Sequence, residues 1–140
     1  MVRLQNIYKK NIVAKPVFLN AFLYIKYRDS MKVVIPCNIS RKLVPLDMAD
    51  IILGYDSNDG SIIEEENSGF GSKEATMAFI LRLSADVITV KEGMLCPGSY
   101  MMSQGSIKYS IVKSDNADDV IKNKEYAEAV DQLPENMFAE

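Results

Sequence analysis

Residues Met31–Asn38 read MKVVIPCN, with Val33, Val34 and Ile35 in succession and Pro36 directly after them. A short apolar run with no polar alternation is a strand buried on both faces, as found in parallel sheets covered by helices. Pro36 is expected to end that strand, because proline has no N–H to give to a central ladder.

The chain has 140 residues, enough for one domain that buries roughly two-thirds of its unfolded surface without staples. Its charge of −3 is unevenly spread. Residues 1–30 hold Arg3, Lys9, Lys10, Lys15, Lys26 and Arg28 against Asp29 alone, a net +5, which leaves −8 for residues 31–140. The main domain is therefore acidic and a poor partner for a phosphate backbone. With two cysteines and no histidine, imidazole acid–base chemistry and imidazole-containing zinc sites are excluded. Free thiols in such a composition point to a reducing cytoplasm.

Residues 17–25 (VFLNAFLYI) are apolar but too short to span a bilayer. Lys26, Tyr27 and Arg28 follow where an export signal would carry small residues. Two readings remain for residues 1–30: a basic, partly hydrophobic extension without fixed structure, or a start placed upstream of the true Met31, the second being favoured. The basic residues interleaved with Tyr8, Phe18, Phe22, Tyr24 and Tyr27 could in principle meet nucleic acid or a membrane surface, but neither partner is expected.

Downstream, residues 39–49 contain Pro45 and no clear period, and read as a long loop. A strand over 50–56 and another over 61–67 flank Ser57-Asn58-Asp59-Gly60, a hairpin turn in which Gly60 takes positive φ. The acids Glu64–Glu66 suit an edge strand. Ser68-Gly69-Phe70-Gly71-Ser72 leads into a helix over 75–85, with Ser72 as its cap and Glu74 in its first turn. That helix carries one charge, Arg82, so it needs cover from the sheet and from another layer or subunit. Strands over 86–90 and 107–112 enclose a short helical piece ending at Gln104. Asp115 and Asn116 cap a last helix with Val120, Ile121, Ala127 and Val130 as its buried stripe. Residues 131–140 read as a frayed acidic tail. The expected order is strand, hairpin, helix, strand, helix, strand, helix, an α/β architecture with right-handed crossovers.

These words, in this order, resemble the dinitrogenase iron–molybdenum cofactor family (NifX, NafY and the C-terminal part of NifB). Met31–Pro36 matches its MKIAIP-like start. Ile51–Asp56 and Gly60–Glu64 match its second strand and hairpin, and Ala75–Val90 its helix and D-V-V-I strand. Gly93–Gly98 and Ser106–Ser110 match its G-x-x-x-P-G turn and closing strand. The likeness runs from about residue 31 to 131. It implies a three-layer ribonuclease-H-like fold, a mixed five-stranded sheet with the Met31–Cys37 strand central, the hairpin on one side and parallel strands on the other. It also implies a small, non-enzymatic carrier of a metal cluster. Where the family commonly has a His-Phe-Gly-Arg-like motif, this chain reads Pro45-Leu46-Asp47-Met48-Ala49-Asp50, so the histidine contact is absent.

Three groups of residues could carry chemistry. Cys37 and Cys96 are expected at the carboxyl edge of the sheet, where open α/β sheets bind ligands, as soft ligands of an iron–sulfur or iron–molybdenum-type cluster. The plainer reading makes them packing and loop residues. Gly69, Gly71 and Ser72, together with Asn38, Gly93 and Gly98, could line such a site through backbone N–H groups. Gly71-Ser72-Lys73 reverses a Walker ending, so a nucleotide is not expected. Asp47, Asp50, Asp56 and Glu64–Glu66 invite comparison with a two-metal nuclease, but the central strand carries no acid. The leading expectation is cluster binding without catalysis. The alternative is a metal-free protein–protein interaction or scaffold module, with the apolar helix partly buried in a homo-oligomer.

Overall fold

The computed structural model describes residues 31–138, and the expectations for residues 1–30 lie outside them. Five strands form one sheet in the order β3-β2-β1-β4-β5: β1 is Lys32–Cys37, β2 Ile51–Asp56, β3 Ile62–Glu66, β4 Val87–Val90 and β5 Lys108–Ile111. β1 is central, antiparallel to β2 and parallel to β4, and β4 is parallel to β5. The helices are α1 (Lys73–Arg82), α2 (Pro97–Ser103) and α3 (Ala117–Lys122). This is the expected mixed α/β sheet of the ribonuclease-H-like type.

Strand alternation divides the core into two layers. Val34, Ile52, Ile88 and Val90 face a layer containing Met77 and Ile80 of α1 and Tyr100 of α2. Val33, Ile35, Cys37, Leu53 and Val87 face the other, with Leu43 and with Ala117 and Val120 of α3. Each fully buried aliphatic side chain contributes roughly 1.5–3 kcal/mol, so the sheet is held from both sides.

Pro36 does not end β1. It pairs with Ile52 and the strand runs on to Cys37. The reason lies in strand parity. Asp86 N donates to Lys32 O, and Thr89 Oγ1 lies against Val34 O, so even positions of β1 turn their backbone toward β4. The β1–β4 register covers only Val33–Val34. Pro36 has no N–H to offer β4, and that ladder stops after Val34, while the β2 ladder continues through Pro36 to Cys37.

Local signals explain the other elements. Gly60 takes φ +77° in the hairpin turn. Ser72 Oγ accepts from Ala75 N at 3.0 Å and caps α1, which starts at Lys73 and stops at Arg82, earlier than expected at both ends. Its outer residues Phe79 and Leu81 are half-buried against the first core layer, which α2 and Phe138 extend, and Arg82 lies over the Phe79 ring at 5.7 Å. The second covering layer is thus supplied within the chain.

Two expectations are corrected. The last helix ends at Lys122, and Lys124 turns back with φ +54°. Tyr126 rather than Ala127 is buried, and Val130 exchanges backbone hydrogen bonds with Tyr109. The C-terminal segment is not frayed up to Phe138. Leu133 and Met137 are buried in the first core layer, and Phe138 stacks on Tyr100 with ring centroids 4.2 Å apart. The four-residue spacing of two apolar side chains outweighs the flanking acids. The long loop after β1 is also more ordered than expected, with a 3-10 turn at Leu46–Met48 whose Leu46 is fully buried.

Candidate functional site

Strand directions bring the loops after β1, β3, β4 and β5 to one edge of the sheet. Within it, two of the anticipated stretches meet. The loop before α1 adjoins the loop after β4 through Lys73 Nζ, which donates to Gly93 O at 3.0 Å, and through Glu74 Oε2, 3.4 Å from Cys96 Sγ. Cys96 is half-buried and occupies the N-cap of α2. Its sulfur accepts from Ser99 N at 3.4 Å, while Cys96 N donates to Ser99 Oγ at 2.9 Å. Gly98 lies so near this pair that a Cβ there would stand 2.6 Å from Glu74 Oε2.

The glycine-rich loop is shaped by Asn67, which sequence reading passed over. Its amide Nδ2 donates to Ala49 O at 2.8 Å and to Thr76 Oγ1 at 2.9 Å, and its Oδ1 accepts from Gly69 N at 2.8 Å. Gly69 presses against α1 so closely that a Cβ would fall 2.4 Å from the carbonyl carbon of Ala75. Gly71 N donates to Asp47 O at 2.9 Å. The backbone of this loop is therefore largely engaged within the fold.

Cys37 and Asn38 stand apart from that centre. Cys37 is fully buried in the layer with Val33, Ile35 and Leu43, whereas Cys96 belongs to the α1–α2 side, so the two thiols serve opposite faces of the sheet. Burial, with Glu64 next in weight, pushes the Cys37 thiol up to about 11, and Arg41 opposes this only in part. Near neutral pH Cys37 is a protonated packing residue. Asn38 Oδ1 accepts from Ser40 N and Lys42 N at 2.9 and 3.0 Å and tightens its own loop.

The carboxylates do not converge on one point. Asp56 pairs in register with Lys32 at the opposite end of the sheet, and Glu64 bonds Arg41 at 2.8 Å, with Arg41 also reaching Asp118 at 2.9 Å. Asp47 Oδ1 is buried without a hydrogen-bond partner. No group of three His, Cys, Asp or Glu side chains able to hold a metal ion occurs among the described residues. A closed resident metal centre therefore does not fit this donor set. What the edge offers is one accessible thiol beside a carboxylate, a hydroxyl and a lysine. Glu74 was legible only as a first-turn helix residue and Lys73 only as part of a reversed Walker ending, because their contacts to residues 93–96 are long-range.

No family model matches the sequence, and no curated protein matches it. Solved structures do match. A protein from Thermotoga, provisionally assigned as NifB, superposes with a TM-score of 0.57 at 13% identity, over 74% of this chain and 97% of that one. A provisionally assigned dinitrogenase from Methanocaldococcus jannaschii superposes with a TM-score of 0.54 at 16% identity, over 72% and 93% of the two chains. The chain shares their fold. At such identities the likeness concerns the fold, and these neighbours are nitrogenase-associated by name. No helix among the described residues is long and apolar enough to cross a membrane.

Proposed function

We propose that the chain is a small, non-enzymatic binding protein that takes an iron–sulfur or iron–molybdenum-type cluster as cargo at the carboxyl edge of its sheet. The observation that carries this reading is the placement of Cys96, a half-buried thiol at the junction of the Gly69–Ser72 and Gly93–Gly98 loops. The assigned names of its two structural neighbours agree with it. Cys96 supplies one soft ligand, and the remaining coordination stays with the cargo's own ligands or a receiving protein, as suits a carrier that must release what it holds. Lys73 contributes positive charge beside a cluster that is typically anionic. Cys37 has no part in this reading, being buried and protonated.

The experiment is purification of the full chain without oxygen, followed by analysis for iron, molybdenum and zinc. Iron or molybdenum in stoichiometric amount, with visible absorption, supports cargo binding. A colourless protein that also takes up no iron–sulfur cluster supplied in vitro defeats the reading. The chain would then be understood as an interaction module on the same fold.

A further inference from the structure

The two edges of the sheet are finished differently. At β5, Tyr109 exchanges backbone hydrogen bonds with Val130 at 2.9 and 2.8 Å, so the chain closes its own edge there. At β3 no such cover exists among the described residues, and all five residues of the strand are exposed.

The register defines which groups are free. Asp56 N donates to Ser61 O, and Asn67 N donates to Asp50 O, so the odd positions turn their backbone toward β2. Alternation leaves the N–H and C=O groups of Ile62, Glu64 and Glu66 facing outward. Ile63 is 62% exposed, and Phe70 beside the strand is 60% exposed. Phe70 and the three glutamates line a groove of about 570 Å³ along the strand.

We propose that β3 is a strand-addition edge that receives an extended segment of a partner protein in which basic and apolar residues alternate. Backbone groups of Ile62, Glu64 and Glu66 supply the ladder, Ile63 and Phe70 the apolar contacts, and Glu65 and Glu66 the charge selection, Glu64 being paired with Arg41. A second copy is a poor occupant, because pairing β3 with β3 gathers Glu65 and Glu66 of both copies along one seam. The acidic residues thus protect the edge from self-association while leaving it open to a basic strand.

The test uses the full chain, isotopically labelled, with a short peptide alternating Lys and Val and a control alternating Glu and Val. The expected result is binding of the basic peptide alone, with amide exchange at Ile62, Glu64 and Glu66 slowed by about tenfold or more and that at Ile63 and Glu65 unchanged. Ile62→Pro, which removes one outward donor, and the double variant Glu65→Lys/Glu66→Lys each weaken binding by about tenfold, the equivalent of roughly 1.4 kcal/mol. The proposal is overturned if the three outward amides are already protected without peptide, since another segment or copy then holds the edge. Failure of the basic peptide to bind, equal binding of the acidic one, or binding without the alternating protection overturns it as well.

Discussion

The sulfur of Cys96 lies 3.4 Å from Oε2 of Glu74, joining the first turn of α1 to the N-cap of α2. The other thiol, Cys37, is sealed in the core on the far face of the sheet. A thiol reagent should therefore modify one cysteine per chain rapidly under native conditions and the second only on unfolding. Cys96→Ala should abolish the fast phase and Cys37→Ala should leave it intact, as followed by the absorbance of the released chromophore.

Cys37 also makes stability depend on alkaline pH. Its thiol is neutral in the fold up to about pH 11, against 9.0 for an unhindered cysteine. Between these values the unfolded chain loses its proton while the folded chain keeps it. The stabilisation is complete below pH 9 and is lost as pH rises toward 11, by roughly 3 kcal/mol in all. Tyr109 and Tyr126 are also shifted upward by burial, so the diagnostic quantity is the difference between the parent chain and Cys37→Ala. Denaturant titrations across this range should show a steeper decline for the parent.

Asn67 holds the loop before α1 with three buried hydrogen bonds, to Ala49, Thr76 and Gly69. Asn67→Ala leaves those partners without replacements and should cost about 2–4 kcal/mol in equilibrium unfolding. Amide exchange at Gly69 and the start of α1 should accelerate more than exchange in β5.

The C-terminal segment is part of the core and reaches the candidate site. Gly93 N donates to Met137 O at 3.1 Å, and Leu133 N donates to the Tyr100 hydroxyl at 3.0 Å. Ending the chain after Asp131 removes the buried side chains of Leu133 and Met137. It should lower stability by roughly 3–5 kcal/mol, measurable as a fall in the denaturation midpoint.

Features set by neighbours in the chain were the most legible. Val33–Ile35 marked the central strand, Ser57–Gly60 the hairpin, and Ser72 the cap of α1. Features set by distant contacts were not. Val120, Ile121, Ala127 and Val130 have helical spacing. Glu125 nevertheless turns inward to accept from Lys113 N at 2.7 Å and Ser114 N at 3.1 Å, and the helix has ended by then. The packing of Leu133 and Met137 was signalled by their four-residue spacing but masked by Asp131, Glu135 and Glu140. Cys37 shares the parity of Val33 and Ile35 and lies with them in the second core layer. Nothing local told which face the Cys96 loop would serve, so the expectation of a paired thiol site joined two residues that the sheet separates.

The most direct measurement is anaerobic titration of the full chain and its two cysteine variants with an iron–sulfur cluster, followed by visible absorption and bound iron. The account predicts uptake by the parent and by Cys37→Ala, with loss of uptake in Cys96→Ala. Uptake that survives in Cys96→Ala, or that disappears equally in a folded Cys37→Ala, would contradict it.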